Sequence, residues 1–174
     1  MFDVVVAADR DWGIGKASGL PWPKLRGDLQ HFKRVTSAAT EGKRTAIIMG
    51  RKTWESAEVA GKPLPKRLNI IVTRRTDLVV PEGVVVASSL DAALDAARGP
   101  EIESVFVVGG AEIYEQAFTH TELRYIYLTR VEGHFDTDVR IPDLDGEFVH
   151  DDWDGEQVLE DSGVQYRFER LRRR

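Results

Sequence analysis

Short β-branched apolar runs alternate along this chain with longer stretches of helical period. Residues 2–8, 45–49, 68–73, 84–87 and 104–108 read as strands buried on both faces, because their apolar residues run on rather than alternate. Stretches opening at Pro23, Thr53, Ser88 and Ala111 read as helices. Ser88, with Asp91 three residues on, has the form of a capping box. Strands that alternate with helices predict an α/β fold, a single domain over residues 1–174 with a mostly parallel central sheet flanked by helices. The C-terminal third changes period. "LRYIYLTRVEG" and "GVQYRFERL" alternate apolar and polar residues with no helix between them, which predicts antiparallel strands finishing the sheet.

One helical stripe breaks the pattern. In "PWPKLRGDLQHFKRVT", residues 21–36, the apolar Leu25, Leu29, Phe32 and Val35 recur as on a helix face turned toward a core, and Asp28 stands among them. The helix dipole favours a first-turn acid, but with Pro23 at the first helical position Asp28 falls in the second turn, where that effect has faded. An ion pair is a second reading, although Arg26 and Lys33 point to other sectors of the helix. The third is a carboxylate kept in an apolar pocket for a ligand. Desolvation would raise its proton affinity, and a flat heterocycle with two adjacent donors would satisfy both oxygens. The pattern favours this third reading without closing the others.

Charge and composition narrow the partners. A net charge of -5 argues against general nucleic-acid binding, and the basic run 170–174 reads as a solvated, frayed end. With no cysteine, disulfides, thiolate catalysis and cysteine zinc sites are excluded, and the four histidines lack metal-ligand spacing, so no metal is expected. No basic leader opens the chain and no apolar run reaches membrane-spanning length, so a soluble, cytoplasmic protein without membrane partners is expected.

Three predicted strand ends share a chemistry suited to phosphate. "AIIMGRKTW" passes from strand through Gly50 to a helix start with Arg51, Lys52 and Thr53. "NIIVTRRT" ends with Thr73, Arg74 and Arg75, and "VFVVGGAEIY" with Gly109-Gly110 before a helix. Free amides at helix starts, hydroxyls, cations and missing side chains all let a dinucleotide approach where strands hand over to helices. Each feature alone is as well explained by solvated charges or an ordinary turn; together they favour a dinucleotide. Two separate basic pairs suggest an extra phosphate, as in NADP. Two stock motifs fail: Gly13, Gly15 and Gly19 are one residue out of Rossmann spacing, and Arg51 interrupts the Gly-Lys pair a P-loop needs. The loop "DRDWGIGKASGLPWP" reads as a mobile cover beside the site.

In order, "GIGKASGLPWPKLRGDLQHFKRVT", "IIMGRKTWES", "PLPKRLNIIVTR", "VFVVGGAEIY", "YLTRV" and "FDTDVRIPDLD" resemble the motifs of the dihydrofolate reductase family. The resemblance runs from about residue 4 to 143 and resumes in "GVQYRFERL", with early spacing closer to the eukaryotic style. It implies reduction of 7,8-dihydrofolate to 5,6,7,8-tetrahydrofolate by NADPH, with hydride transfer to pterin C6, protonation of N5 from water, and a monomeric enzyme. By the same resemblance Asp28 is the active-site acid, holding the pterin 2-amino group and N3, with Thr129 bonded to it and Trp22 ordering a water. Val5, Leu20, Leu29, Phe32, Val108 and Tyr114 fall on positions around the pterin, and Arg67 on the clamp for the glutamate α-carboxylate. Ala7, Ile14 and Gly15 fall beside the nicotinamide, and Gly109, Gly110, Ala111, Glu112 and Ile113 against the cofactor. Arg51, Lys52, Thr53, Thr73 and Arg74 coincide with the phosphate sites inferred from the strand ends.

Some positions depart from the family. The acid is Asp inside a eukaryotic-style helix, Leu29 replaces the Phe of vertebrate enzymes, and Arg10 and Trp12 make an unusual loop entrance. Ala57 replaces a branched residue, which is expected to enlarge the pocket and alter antifolate response. Two rivals share parts of the reading. A pyrimidine reductase of riboflavin synthesis has no glutamate for Arg67 to clamp, and a non-catalytic NADP-binding module has no use for a buried acid.

Overall fold

The computed structural model describes residues 1–174. The chain opens with β1 (Phe2–Ala8), the short β2 (Gly13–Gly15), helix α1 (Arg26–Ser37), β3 (Arg44–Gly50) and the one-turn α2 (Arg51–Trp54). It continues through β4 (Arg67–Val72), β5 (Val85–Ala87), α3 (Leu90–Ala96), β6 (Ile102–Val107) and α4 (Ala111–Thr119). It ends with β7 (Leu123–Val131), β8 (Val139–Arg140), β9 (Phe148–His150), β10 (Gln157–Asp161) and β11 (Val164–Arg173). All but β2 and β8 join one nine-stranded sheet in the order β10-β11-β7-β1-β6-β3-β4-β5, with β9 on β11. The strands from β7 to β5 are mutually parallel, and β9, β10 and β11 supply the antiparallel end. The α/β class and mostly parallel sheet match the sequence reading.

The continuous apolar runs are explained by cover on both faces. Along β3, Ala46 and Ile48 join the cluster under α3 and α4, whereas Ile47 and Met49 face Trp54 and Phe32 on the other side. This alternation is the two-residue period of a strand. Each fully buried isoleucine of this set contributes about 1.5–3 kcal/mol of transfer free energy.

As expected, β7 and β11 pair antiparallel; β7 itself joins the parallel set beside β1, because α4 carries the chain back across the sheet before it. Three expectations are corrected. Helix α1 starts at Arg26 rather than Pro23, which puts Asp28 in the first turn. Ser89, not Ser88, caps α3, accepting the Ala92 amide at 3.0 Å. The basic tail is not frayed. β11 runs to Arg173, whose guanidinium donates to the Phe118 carbonyl at 2.9 Å and so closes the C-terminal end of α4, where the dipole favours a cation.

Candidate active site

The parallel strands end along one edge, and most of the residues expected to act lie there; Arg67 instead opens β4, at the strand's other end. Asp28 projects from the first turn of α1, and Thr129 of β7 donates its hydroxyl to Asp28 Oδ1 at 2.7 Å. No cation pairs with this carboxylate. Its pKa is pushed from 3.8 to about 6 by burial, with the Thr129 hydrogen bond pulling the other way. Since Asp28 occupies the first turn, the helix amides also favour its charge, and burial still wins.

Leu20, Trp22, Lys24, Leu25, Asp28, Leu29 and Glu58 line a cavity of about 370 Å³. The apolar stripe of α1 therefore faces a ligand space as much as a core. Leu29 is exposed at the cavity mouth and Phe32 packs toward Trp54, while the face buried against the sheet carries His31 and Thr36. His31 stacks on Phe168 with centroids 3.7 Å apart, and burial pushes its pKa down to about 4, so it stands there neutral. Trp22 is buried with its indole Nε1 lacking any protein partner, a donor left over for a water or ligand. Ala57 is exposed and Glu58 borders the cavity, so the expected enlargement at Ala57 gives way to a carboxylate at the mouth.

Arg67 is only 8% exposed, yet its guanidinium meets no acid: it donates to Thr36 Oγ1 at 2.8 Å and to the Pro65 carbonyl at 3.0 Å. Burial lowers its pKa, and a guanidinium remains charged regardless. A buried, unpaired cation with donors to spare suits a carboxylate ligand.

Deeper in, Val5 is buried and its carbonyl accepts the Tyr114 hydroxyl at 2.8 Å, which ties α4 to β1; burial raises the Tyr114 pKa. Past β6, Val108 and Gly109 stay tied to β3 through Val108 N to Ile48 O, 3.0 Å, and Gly50 N to Gly109 O, 2.8 Å. Gly109 has φ +127°, and a Cβ there would press on Thr53 Oγ1 and Tyr114, so only glycine fits where the end of β6 packs against α2 and α4. Gly110 opens α4 with no side-chain cap, leaving the amides of Ala111 and Glu112 available, while Ile113 is buried beneath.

The cations stand further out. Arg51 bonds Glu55 at 2.7 Å, and Arg74, 89% exposed, lies 3.9 Å from Glu112. Lys52 is exposed, and Thr53 and Thr73 are half-buried. The Thr73 hydroxyl accepts the Arg75 amide at 3.1 Å. Ala7 and Ile14 are half-buried against the core, and Gly15 lies in β2, paired with β8.

Several contributors were missed from sequence. Asn69 holds Leu64 by paired side-chain to backbone bonds of 2.9 Å, and Thr36 orients Arg67. Asp9 accepts the amides of Asp11, Gly13 and Phe135, fixing the root of the cover loop. A polar Asn inside the buried run "RLNIIV" was a legible sign; nothing comparable pointed to Thr36.

A pocket lined by Asp28 and a row of cations, hydroxyls and uncapped amides thus lie on one sheet. The dihydrofolate reductase family model matches residues 1–173. A dihydrofolate reductase of Aedes albopictus is 38% identical over 96% of this chain and 94% of its own. A solved structure, the dihydrofolate reductase of Schistosoma mansoni, superposes with TM-score 0.86 at 34% identity, covering 99% of this chain and 98% of that one. The bifunctional dihydrofolate reductase-thymidylate synthase of Daucus carota is 40% identical, but the chain spans only 33% of it. The chain belongs to the dihydrofolate reductase family.

Proposed function

We propose that the chain reduces 7,8-dihydrofolate to 5,6,7,8-tetrahydrofolate with NADPH. The observation that carries this reading is the half-buried Asp28 carboxylate, desolvated without a cation and braced by Thr129. A pterin offers the adjacent 2-amino and N3 donors that such a group needs. Arg67 supports folate over a ribityl-phosphate pyrimidine, since its guanidinium is placed for a tail carboxylate. NADPH, when bound, supplies the hydride for pterin C6. The residues fit it: Gly109 and Gly110 lead into α4, whose first amides lack a side-chain cap, Ala7, Ile14 and Gly15 border the nicotinamide space, and Arg51, Lys52, Thr53, Thr73 and Arg74 offer phosphate partners.

The protein's own part is positional. Asp28 anchors and polarises the pterin, Thr129 fixes the carboxylate's rotamer, and Val5, Leu20, Leu29, Phe32, Val108 and Tyr114 hold the ring and keep out bulk water. N5 takes its proton from water, for which the free Trp22 Nε1 supplies an orienting donor. We take the working form to be a cytoplasmic monomer, in keeping with an acidic chain lacking cysteine. The test is NADPH oxidation with dihydrofolate as substrate, beside the pyrimidine substrate of riboflavin synthesis. Turnover of dihydrofolate is expected; turnover of the pyrimidine alone would replace this reading.

A further inference from the structure

We propose that Asp161, at the end of β10, is a positioning residue for Asp28, capping the start of α1 from the opposite end of the chain. Helix α1 has no cap of its own, because Leu25 stands at the N-cap and offers no acceptor. The Gly27 amide, one residue before Asp28, instead donates to Asp161 Oδ2 at 3.0 Å, across 134 residues of sequence. The same oxygen accepts the Tyr166 hydroxyl. Tyr166 is fully buried on β11, so Asp161 cannot swing away without stranding that hydroxyl. The Ser162 hydroxyl adds a longer contact to the Lys24 carbonyl, 3.4 Å.

The close approach explains why residue 27 is glycine. A Cβ there would collide with the Tyr166 oxygen and lie 3.1 Å from Leu159. Asp28 is thus held twice from the antiparallel end of the sheet. Thr129, paired in register with Phe168 of β11, grips the carboxylate, and the β10–β11 hairpin grips the backbone of the preceding residue. Without the second grip the first turn of α1 frays, and Asp28 rides on that turn.

The readout through substrate rests on the folate reading, so the experiment carries a second readout that does not. In the full chain, dissociation constants for dihydrofolate and NADPH are measured by protein fluorescence, with amide exchange at Gly27 and Asp28, for wild type, Asp161→Ala, Asp161→Asn and Gly27→Ala. Asp161→Ala is expected to weaken dihydrofolate binding about fivefold, as loss of a cap does, with NADPH binding unchanged. Asn keeps the one oxygen that accepts both bonds and should restore wild-type affinity. Gly27→Ala should reproduce the loss by displacing Tyr166. Equal weakening of both ligands, or no rescue by Asn, would overturn the proposal by making the hairpin merely structural. Should Asp161→Ala fail to fold, Tyr166→Phe replaces it, expected to loosen the cap and weaken dihydrofolate selectively; unchanged binding there would overturn the proposal. If wild type binds no dihydrofolate, the folate reading fails, yet Asp161→Ala must still speed exchange at Gly27 and Asp28; unaltered exchange would overturn the proposal on its own.

Discussion

Towards the substrate end of the cleft, Asp28 is half-buried and Arg67 buried, both braced by hydroxyls from neighbouring elements; towards the other end, half-buried Arg51 and exposed Arg74 stand beside local acids. The first end has its ordering cost settled during folding, so a ligand meets groups that need not rearrange. The second must exchange Glu55 and Glu112 for a ligand's phosphates, in water that screens every contact. Mutation, pH and salt should therefore act differently on the two ends.

Asp28→Asn gives the largest separation. It should leave the fold intact and cut hydride transfer at neutral pH by on the order of a hundredfold, as for loss of a positioned catalytic group. In the ligand-free protein the same change should stabilise. The carboxyl's pKa is raised, so its contribution to stability is fully present below pH 3.8 and is lost as pH rises through about 6. Above that the buried charge costs up to about 3 kcal/mol, which Asn removes. Urea unfolding should find the mutant more stable at pH 8, with the gap closing toward pH 5. A mutant of unchanged stability at both pH values would mean that Asp28 is not desolvated.

Arg67→Leu should raise KM for dihydrofolate by about thirtyfold, the value of a charge-assisted pair near 2 kcal/mol, and barely affect a pterin lacking the glutamate tail. Because Arg67 is buried, the expected loss is insensitive to salt. Equal losses for both substrates would remove Arg67 from the tail.

Replacing Arg51 and Arg74 by neutral residues should shrink the NADPH preference over NADH by about tenfold at low salt and less at high salt. Glu55→Gln should move the ratio the other way, by releasing Arg51 from its 2.7 Å pair. The ratio of dissociation constants at two ionic strengths checks both. A double mutant with an unaltered ratio would place the 2'-phosphate elsewhere.

The same contrast explains what the sequence could convey. Periodicity exposed the strands of the core because burial on both faces leaves an uninterrupted apolar run, as in residues 45–49. It exposed Asp28 because a charge in an apolar stripe is a conflict that local propensity cannot resolve. The start of α1 was misplaced because Pro23 is a local signal, while the cap that defines the helix comes from Asp161. The tail was read as frayed because its arginines look solvated until α4 and the 145–147 turn supply carbonyls for them.

Between the two ends lies the cover loop, and here the smallest effect is expected. The Leu20 amide donates to Glu58 Oε1 at 3.0 Å, and the Ala17 amide to Asp138 Oδ2 at 3.0 Å, with Lys16 paired to Asp136 at 3.1 Å. These are exposed contacts, each worth about 1 kcal/mol or less, since water replaces a lost partner. Glu58→Ala and Asp138→Ala should each leave KM for dihydrofolate within about threefold of wild type. Their value lies in amide exchange. If residues 16–20 open as one unit, either mutation should speed exchange at both Ala17 and Leu20, because both amides share one opening equilibrium. If the loop is held piecewise, each mutation should speed only its own amide. The first outcome would make the cover a single gate belonging to neither end. The second would assign the Leu20 side to the pocket with Asp28 and the Ala17 side to the β8 arm.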